Sequence, residues 1–463
     1  MKFNYGKIFL LGFGFFGVSV IWGVYNAFVP IFLSEKFGLT PVIIGFFMTL
    51  DNIAALFIQP PLGAWSDRLR TPLGRRIPFI LIGAPIGALA FGLIPLAALL
   101  PLFVACTSTL LLSMALWRTP VVALMPDITP SQYRSQANGI INFMGGIGAV
   151  MSFLVGGMLY KMSPAFPFWM GSGLVIVAAL LVFLFIKEPK DYIAPEYQPG
   201  VFEGFSEYLR GKRIVMLISL GAVLVLAIIF SSWLTALMLV AIWFIVFYAM
   251  FMAREPLADK DKSPIRLFLA IFFWFVGYNA VEAFFTLYAK NHLGMNEADG
   301  ARLLGHLSLI FVLFALIAGL IGSRIGRKNT ILIGITIMGL LLAGIYFSSA
   351  EWLTTVLGKL PVLGEIPVLS IFLMAAGAAW ALININSLPM VVDMVDNVRI
   401  GAYTGLYYLF STLAAIAGPI INGRIIEATG NNYNSSMLLA PVFFVLAFIM
   451  MLGVKRGEAR PVA

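Results

Sequence analysis

The sequence predicts an all-α polytopic membrane protein of fourteen helices, two bundles of six with an inserted two-helix hairpin. Three observations carry this expectation. They are apolar runs of spanning length, a lopsided distribution of Lys and Arg between the runs, and a repeat relating the two ends of the chain.

The chain is 61% hydrophobic and 11% charged, with a mean hydropathy of +0.97, where a soluble domain carries roughly 25% charged residues. The apolar residues fall in runs of about 17–26, the length of a helix crossing about 30 Å of hydrocarbon. A membrane β-barrel would alternate apolar and polar over segments of about ten residues, and these runs do not alternate. The net charge of +9 sits in membrane-flanking loops rather than on one soluble face, which excludes a nucleic-acid partner. Cys106 is the single cysteine and lies in an apolar run, so no intramolecular disulfide forms. The first run is long enough to span and no small-residue cleavage site follows it, so no cleaved signal peptide is expected.

Segments 1–6 are read at 8–33, 43–65, 78–97, 101–124, 137–160 and 167–187. Segments 7–12 follow at 265–289, 301–323, 329–348, 367–390, 402–424 and 435–454. Residues 1–188 and 265–463 thus form two six-helix bundles, with a linker at 189–264. Within the linker, the apolar block 214–252 would make about 58 Å of helix, too long for one crossing. Basic residues flank it on both sides, so it crosses an even number of times, with Ser231 and Ser232 as its turn.

The Lys/Arg bias sets the orientation. With both termini inside, 23 Lys/Arg are cytoplasmic and 6 are outside. The densest knot is Gly63–Pro78, which packs Asp67, Arg68, Arg70, Arg75 and Arg76 between segments 2 and 3. The compact loops point to a bacterial inner membrane, with the lipid bilayer as the surrounding partner.

Three matches in the same order relate the halves. Trp22-Gly-Val-Tyr25-Asn26-Ala27 in segment 1 pairs with Trp274-Phe-Val-Gly-Tyr278-Asn279-Ala280 in segment 7. Gly63 to Arg68 pairs with Gly319 to Arg324, and Gly74-Arg75-Arg76 with Gly326-Arg327-Lys328. Asp127…Arg134…Gly139 pairs with Asp393…Arg399…Gly405. After the outer loops, Thr40 precedes Pro41 and Asn296 precedes Asp299 by three residues, both helix-start signals. Two homologous helical halves with a binding site at their interface are the architecture of a secondary transporter.

The motif Gln59-Pro60-x-x-Gly63-x-x-Ser66-Asp67-Arg68-x5-Gly74-Arg75-Arg76-x-Pro78-Phe79-Ile80 resembles the major facilitator superfamily. Within it, the longer form of the loop is similar to the plant sucrose transporters and the animal solute carrier family 45. Ala123-Leu124-Met125-Pro126-Asp127 with Arg134 and Ala137-Asn138 resembles the same branch. The resemblance covers nearly the whole chain except 214–252. The wider group includes the glycoside–pentoside–hexuronide cation symporters. Their sodium-using members carry carboxylates where this chain has Gln59 and Ala55, which favours H+ as the coupling ion. Plant sucrose transporters carry an Arg where this chain has Val122; Arg118 lies one turn earlier.

Three charges are the candidates for the bilayer centre, Asp51, Arg118 and Glu282. Each costs about 2.5–3.5 kcal/mol at the bilayer centre on insertion scales and therefore needs a reason. Nine residues put Arg118 on the opposite helix face from Asp127, so its counter-ion must come from another helix. The resemblance implies that segments 1, 4, 7 and 10 line a central cavity. Tyr25, Asn26, Arg118, Trp274, Tyr278, Asn279, Glu282, Trp380 and Asn384 on those segments are the candidate sugar-binding residues. Aromatic faces stack on sugar C–H groups while amides and carboxylates take the hydroxyls. Glu282 and Asp51 are the candidate proton carriers. Other roles stand open for them: a structural ion pair for Glu282, packing or gating for Asp51, and interhelical hydrogen bonds for Asn26 and Asn279. Asp67, Arg68, Arg75, Arg76, Arg324 and Arg327 are the candidate gate, with Asp67 expected to hold the cytoplasmic side shut across the halves.

No cofactor is expected. His292 and His306 lack metal-ligand spacing, and the G-x-G-x-x-G at Gly12–Gly17 follows no strand, so it reads as helix packing. No enzyme motif is present. The expected function is a monomeric, proton-coupled symporter of a disaccharide or glycoside working by alternating access, with a proton-coupled drug or metabolite exporter as the alternative and a non-transporting membrane sensor behind it.

Overall fold

The computed structural model describes residues 5–129, 134–188, 211–212, 215, 217–221, 243–244, 246–361, 363–395 and 399–458. Among them are twelve helices long and apolar enough to span a membrane. They are α1 (Tyr5–Ile31), α2 in two pieces (Pro41–Phe47 and Leu50–Arg68), α3 (Ile77–Leu93), α4 (Leu100–Ile128), α5 (Arg134–Met162), α6 (Phe166–Phe185), α7 (Ser263–Asn291), α8 (Glu297–Ile325), α9 (Arg327–Phe347), α10 (Val368–Val392), α11 (Ile400–Ala428) and α12 (Ser435–Leu452). Each matches one predicted segment. Most of 214–252, where the inserted hairpin is expected, lies outside the described residues. Two described residues of that block, Ser219 and Trp243, are joined by an indole N–H donating to the hydroxyl at 2.9 Å.

Helices α1–α6 pack on one another and α7–α12 do the same, and the two halves meet along α2 with α11, α5 with α8, and α1 with α7. The first two pairs are equivalents under the sequence repeat. They meet at the face away from the arginine-rich loop, here the far face. A Cβ on Gly45 would fall on the carbonyl of Pro419, and one on Gly423 on the carbonyl of Pro41. Glycine at both positions lets the two backbones touch. Ion pairs add to this contact. Lys161 reaches Asp299 at 2.6 Å, and Lys290 pairs with both Glu35 and Glu297.

Helix starts explain several sequence signals. Asn296 caps α8 by accepting from the Asp299 N–H at 2.9 Å, while its own amide donates back to the Asp299 carboxylate at 2.6 Å. The Gly74 and Gly326 repeats do the same job in the two halves. Both glycines have positive φ, 109° and 89°, where residues with side chains are strained. Behind them, Glu188 accepts from the N–H groups of Arg75, Arg76 and Ile77 at 2.8–2.9 Å. Glu458 accepts from those of Arg327 and Lys328 at 2.7 and 2.9 Å. A carboxylate at a helix N-terminus satisfies orphan donors and complements the dipole. These two glutamates, each just after the last helix of its half, extend the repeat beyond what the sequence comparison found.

The far face also carries a short antiparallel hairpin, Val356–Leu360 with Gly364–Pro367. Its turn is latched to α8. Arg302 donates to the Leu363 carbonyl at 2.9 Å, and buried His306 bridges that carbonyl and the Ser370 hydroxyl. His306 is therefore a structural histidine. On the opposite face, Arg456 binds Asp259 and Asp261 of the linker. The Arg456 hydrogen bond holds the Asp259 carboxyl below its ordinary range, and Ser263 does the same for Asp261.

Candidate functional site

A cavity of about 190 Å³ lies between the halves. It is lined by Trp22 and Asn26 of α1, Met48, Asp51 and Asn52 of α2, Arg118 of α4, Asn279, Glu282 and Ala283 of α7, and Ala415 and Pro419 of α11. All three charges expected inside the membrane meet here.

Local backbone places them. Helix α2 is interrupted at Met48–Thr49, where the Thr49 hydroxyl donates to the Phe46 carbonyl at 2.7 Å. Asp51 falls in the first turn of the second piece, where a helix dipole favours a carboxylate. Asn52 donates to the Asp51 carboxylate at 2.8 Å. Asp51 of α2 and Glu282 of α7 are the two carboxylates that share the cavity with Arg118. The carboxylates brought to Arg118 from other helices are thus those of α2 and α7.

Two prolines free backbone acceptors beside these groups. Pro30 lies within α1 and Pro419 within α11. Having no N–H, they deny the carbonyls of Asn26 and Ala415 their usual partner four residues on. Asn26 and Ala415 both line the cavity.

Of the sequence-predicted binding residues, Asn26, Arg118, Asn279 and Glu282 converge on the cavity, as does Asp51. The others do not. Tyr25 and Trp274 are buried in the helix packing. Tyr278 and Trp380 stack on each other, centroids 4.0 Å apart and planes within 7°, which uses the faces expected to meet sugar. Asn384 does not line the cavity, and α11 and α2 take the place expected of α10. The reason is rotational. Trp274, Tyr278 and Glu282 fall four apart, but each step of four drifts by about 40°, so eight residues turn Trp274 about 80° away from Glu282. Glu282 also borders a second, apolar cavity of about 30 Å³ inside the α7–α12 bundle, beside Tyr278.

Described side-chain contacts of two gate residues, Arg76 and Arg327, fall within their own halves. Buried Arg76 binds the Ser66 hydroxyl, and Arg327 binds Asp393 together with the Pro389 carbonyl at 3.0 Å. The backbone N–H groups of Arg75, Arg76 and Arg327 serve the glutamate caps, and Arg324 is exposed. The side chains of Asp67 and Arg68, and with them the expected contact between halves, lie outside the described residues. The inter-half ion pairs among the described residues lie at the far face instead, on Lys161 and Lys290. Those lysines drew no notice in the sequence because each is the single Lys or Arg between its two predicted segments. It also passed over Trp22 and Asn52 as site residues, although each sits one turn or less from a residue it did choose.

The family model described as Major Facilitator Superfamily matches residues 11–358 and 267–462. Multidrug resistance protein MdtH of Photorhabdus laumondii is 28% identical over 212 residues, 45% of this chain and 50% of that protein. The chain therefore spans about half the length of that relative. Lactose permease of Citrobacter freundii is 26% identical over 187 residues, 39% of this chain and 44% of its own length. Proton-associated sugar transporter A of Homo sapiens is 40% identical over 75 residues, 16% of this chain and 10% of its own. Among solved structures, the nucleoside transporter NupG superposes with a TM-score of 0.66 at 18% identity, covering 97% of this chain and 99% of that one. The POT family transporter PepTSo gives 0.70 at 16%, covering 98% of each.

Proposed function

The chain belongs to the Major Facilitator Superfamily, and from that premise we propose that it is a proton-coupled sugar transporter working by alternating access. One observation supports this reading: the interface cavity joins two carboxylates, one arginine and three amides to a single indole, with Met48, Ala283, Ala415 and Pro419 completing the lining. Polar side chains from α1, α2, α4 and α7 suit a ligand with hydroxyls around its rim. The volume of about 190 Å³ lies below the roughly 300–1,000 Å³ of pockets for drug-sized ligands, which favours a small sugar or glycoside over a lipophilic drug. Relatives named for lactose and for proton-associated sugar transport support the substrate class. Those named for multidrug resistance keep an exporter as the rival.

In this reading the arginine-rich face is cytoplasmic and both termini lie there. The far face is closed by the Gly45 and Gly423 contacts and the Lys161 and Lys290 pairs, so the cavity is addressed from inside. Asp51 answers Arg118, which leaves Glu282, from the other half, as the proton carrier. Its proton loads and unloads as the halves rock, and sugar binds among Asn26, Asn52, Arg118 and Asn279. No metal or cofactor takes part.

The test is uptake into proteoliposomes with an imposed pH gradient, using a panel of hexoses, disaccharides and lipophilic cations. Glu282→Gln is expected to abolish accumulation against a gradient while sparing sugar exchange. Unchanged pH-driven accumulation by that variant sinks the assignment of Glu282, and gradient-driven movement of the lipophilic cations alone favours the exporter.

A further inference from the structure

The two copies of the aromatic–amide motif differ by one residue, and that residue decides which tryptophan meets the cavity. Asn26 and Asn279 occupy the same place in the two halves, and both line the cavity. Trp22 precedes Asn26 by four residues and so lies within about 40° of its face. Trp274 precedes Asn279 by five, which turns it about 140° away. The outcome matches. Trp22 lines the cavity, whereas Trp274 is 0% exposed in the core of its half.

The other nearby rings are already engaged. Tyr278 and Trp380 cover one another, and Tyr25 is 1% exposed in an edge contact with Trp22, centroids 5.8 Å apart at 82°. That edge contact fixes the Trp22 ring, the one aromatic group among the described residues that line the cavity. Around it stand Asn26, Asn52, Arg118 and Asn279, all able to bind hydroxyls.

We infer that Trp22 is the one stacking platform for a pyranose ring, supplied by α1 alone, and that it sets a preference for cyclic sugars over open-chain polyols. The inference rests on the proposed sugar specificity. A pyranose presents a flat C–H face to an indole with its hydroxyls at the rim. An alditol offers the same hydroxyls without that preformed face. The one-residue offset makes recognition asymmetric, since the C-terminal half contributes amide and carboxylate but no ring.

Equilibrium binding to the purified full chain tests this, with glucose, galactose, sucrose and lactose as cyclic probes and sorbitol as the open-chain probe. Wild type is expected to bind one or more cyclic probes and to discriminate against sorbitol. Trp22→Ala should weaken cyclic-sugar binding about tenfold or more and remove the discrimination. Trp22→Phe, which keeps a ring, should retain most of both and shows that the fold tolerates change at this position. Trp274→Phe should leave affinity unaltered. Equal cyclic-sugar affinity in wild type and Trp22→Ala overturns the platform while leaving sugar transport standing. A folded wild type that binds none of the probes overturns the sugar reading and this inference with it.

Discussion

Asp51 and Arg118 are separated by 67 positions in sequence, yet line one cavity. An unpaired charge at the bilayer centre costs about 2.5–3.5 kcal/mol on insertion scales, and removing one partner of a buried pair exposes that cost in full. Asp51→Asn and Arg118→Leu are each expected to lower the thermal midpoint in detergent by several degrees and to reduce the yield of folded protein. The double variant should recover most of both, because no uncompensated charge remains. Additive losses would show that the two side chains act independently. The arginine was legible as a residue needing a partner on another helix. Which helices bring carboxylates to it depends on how α2, α4 and α7 pack, a fact that no spacing within one helix encodes.

At the scale of the helix, the arginine-rich loops work as caps. Glu188 and Glu458 each close the N-terminus of the third helix of their half, and the glycine before it turns the chain so that the carboxylate fits. Loss of a good N-cap costs about 1 kcal/mol. Glu188→Ala and Glu458→Ala should each lower the melting midpoint by a few degrees and leave sugar affinity unchanged. Gly326→Ala should do more damage than Glu458→Ala, since it strains the backbone at a φ of 89° and crowds the same carboxylate. A larger effect of the glutamate change would contradict this. The repeated Gly-Arg-Arg and Gly-Arg-Lys were visible in the sequence, and so was their charge. Their caps were not, because the glutamates lie 113 and 131 residues away in the chain.

For the whole molecule, the question is which face of the cavity is shut. Gly45 and Gly423 bring α2 and α11 into backbone contact at the far face, where Lys161 and Asp299 bridge α5 and α8. Surface ion pairs contribute little, roughly 0–1 kcal/mol, so the glycine contacts should dominate. Gly45→Leu is expected to prise the far face open. A cysteine at Ala415, with Cys106 replaced by Ser, should then react several-fold faster with an impermeant thiol reagent added from the far side. Lys161→Ala should raise that rate much less. Equal labelling of Gly45→Leu and its parent would remove the glycine contacts from the closing mechanism.

The sequence by itself determined the twelve described spans, their division into related halves, and the three residues whose charge inside the membrane demands a function. Those follow from hydropathy, loop charge and repetition, which act along the chain and are read one segment at a time. Tertiary structure alone decided which faces of those segments meet. A helix turns 100° per residue, so a one-residue difference between repeats sent Trp22 to the cavity and Trp274 to the core, and aromatic partners from α7 and α10 took Tyr278 and Trp380 out of contention. The cavity gathers the chosen residues whose polarity forbids lipid, and leaves out those whose aromatic ring finds an equally good partner in another helix.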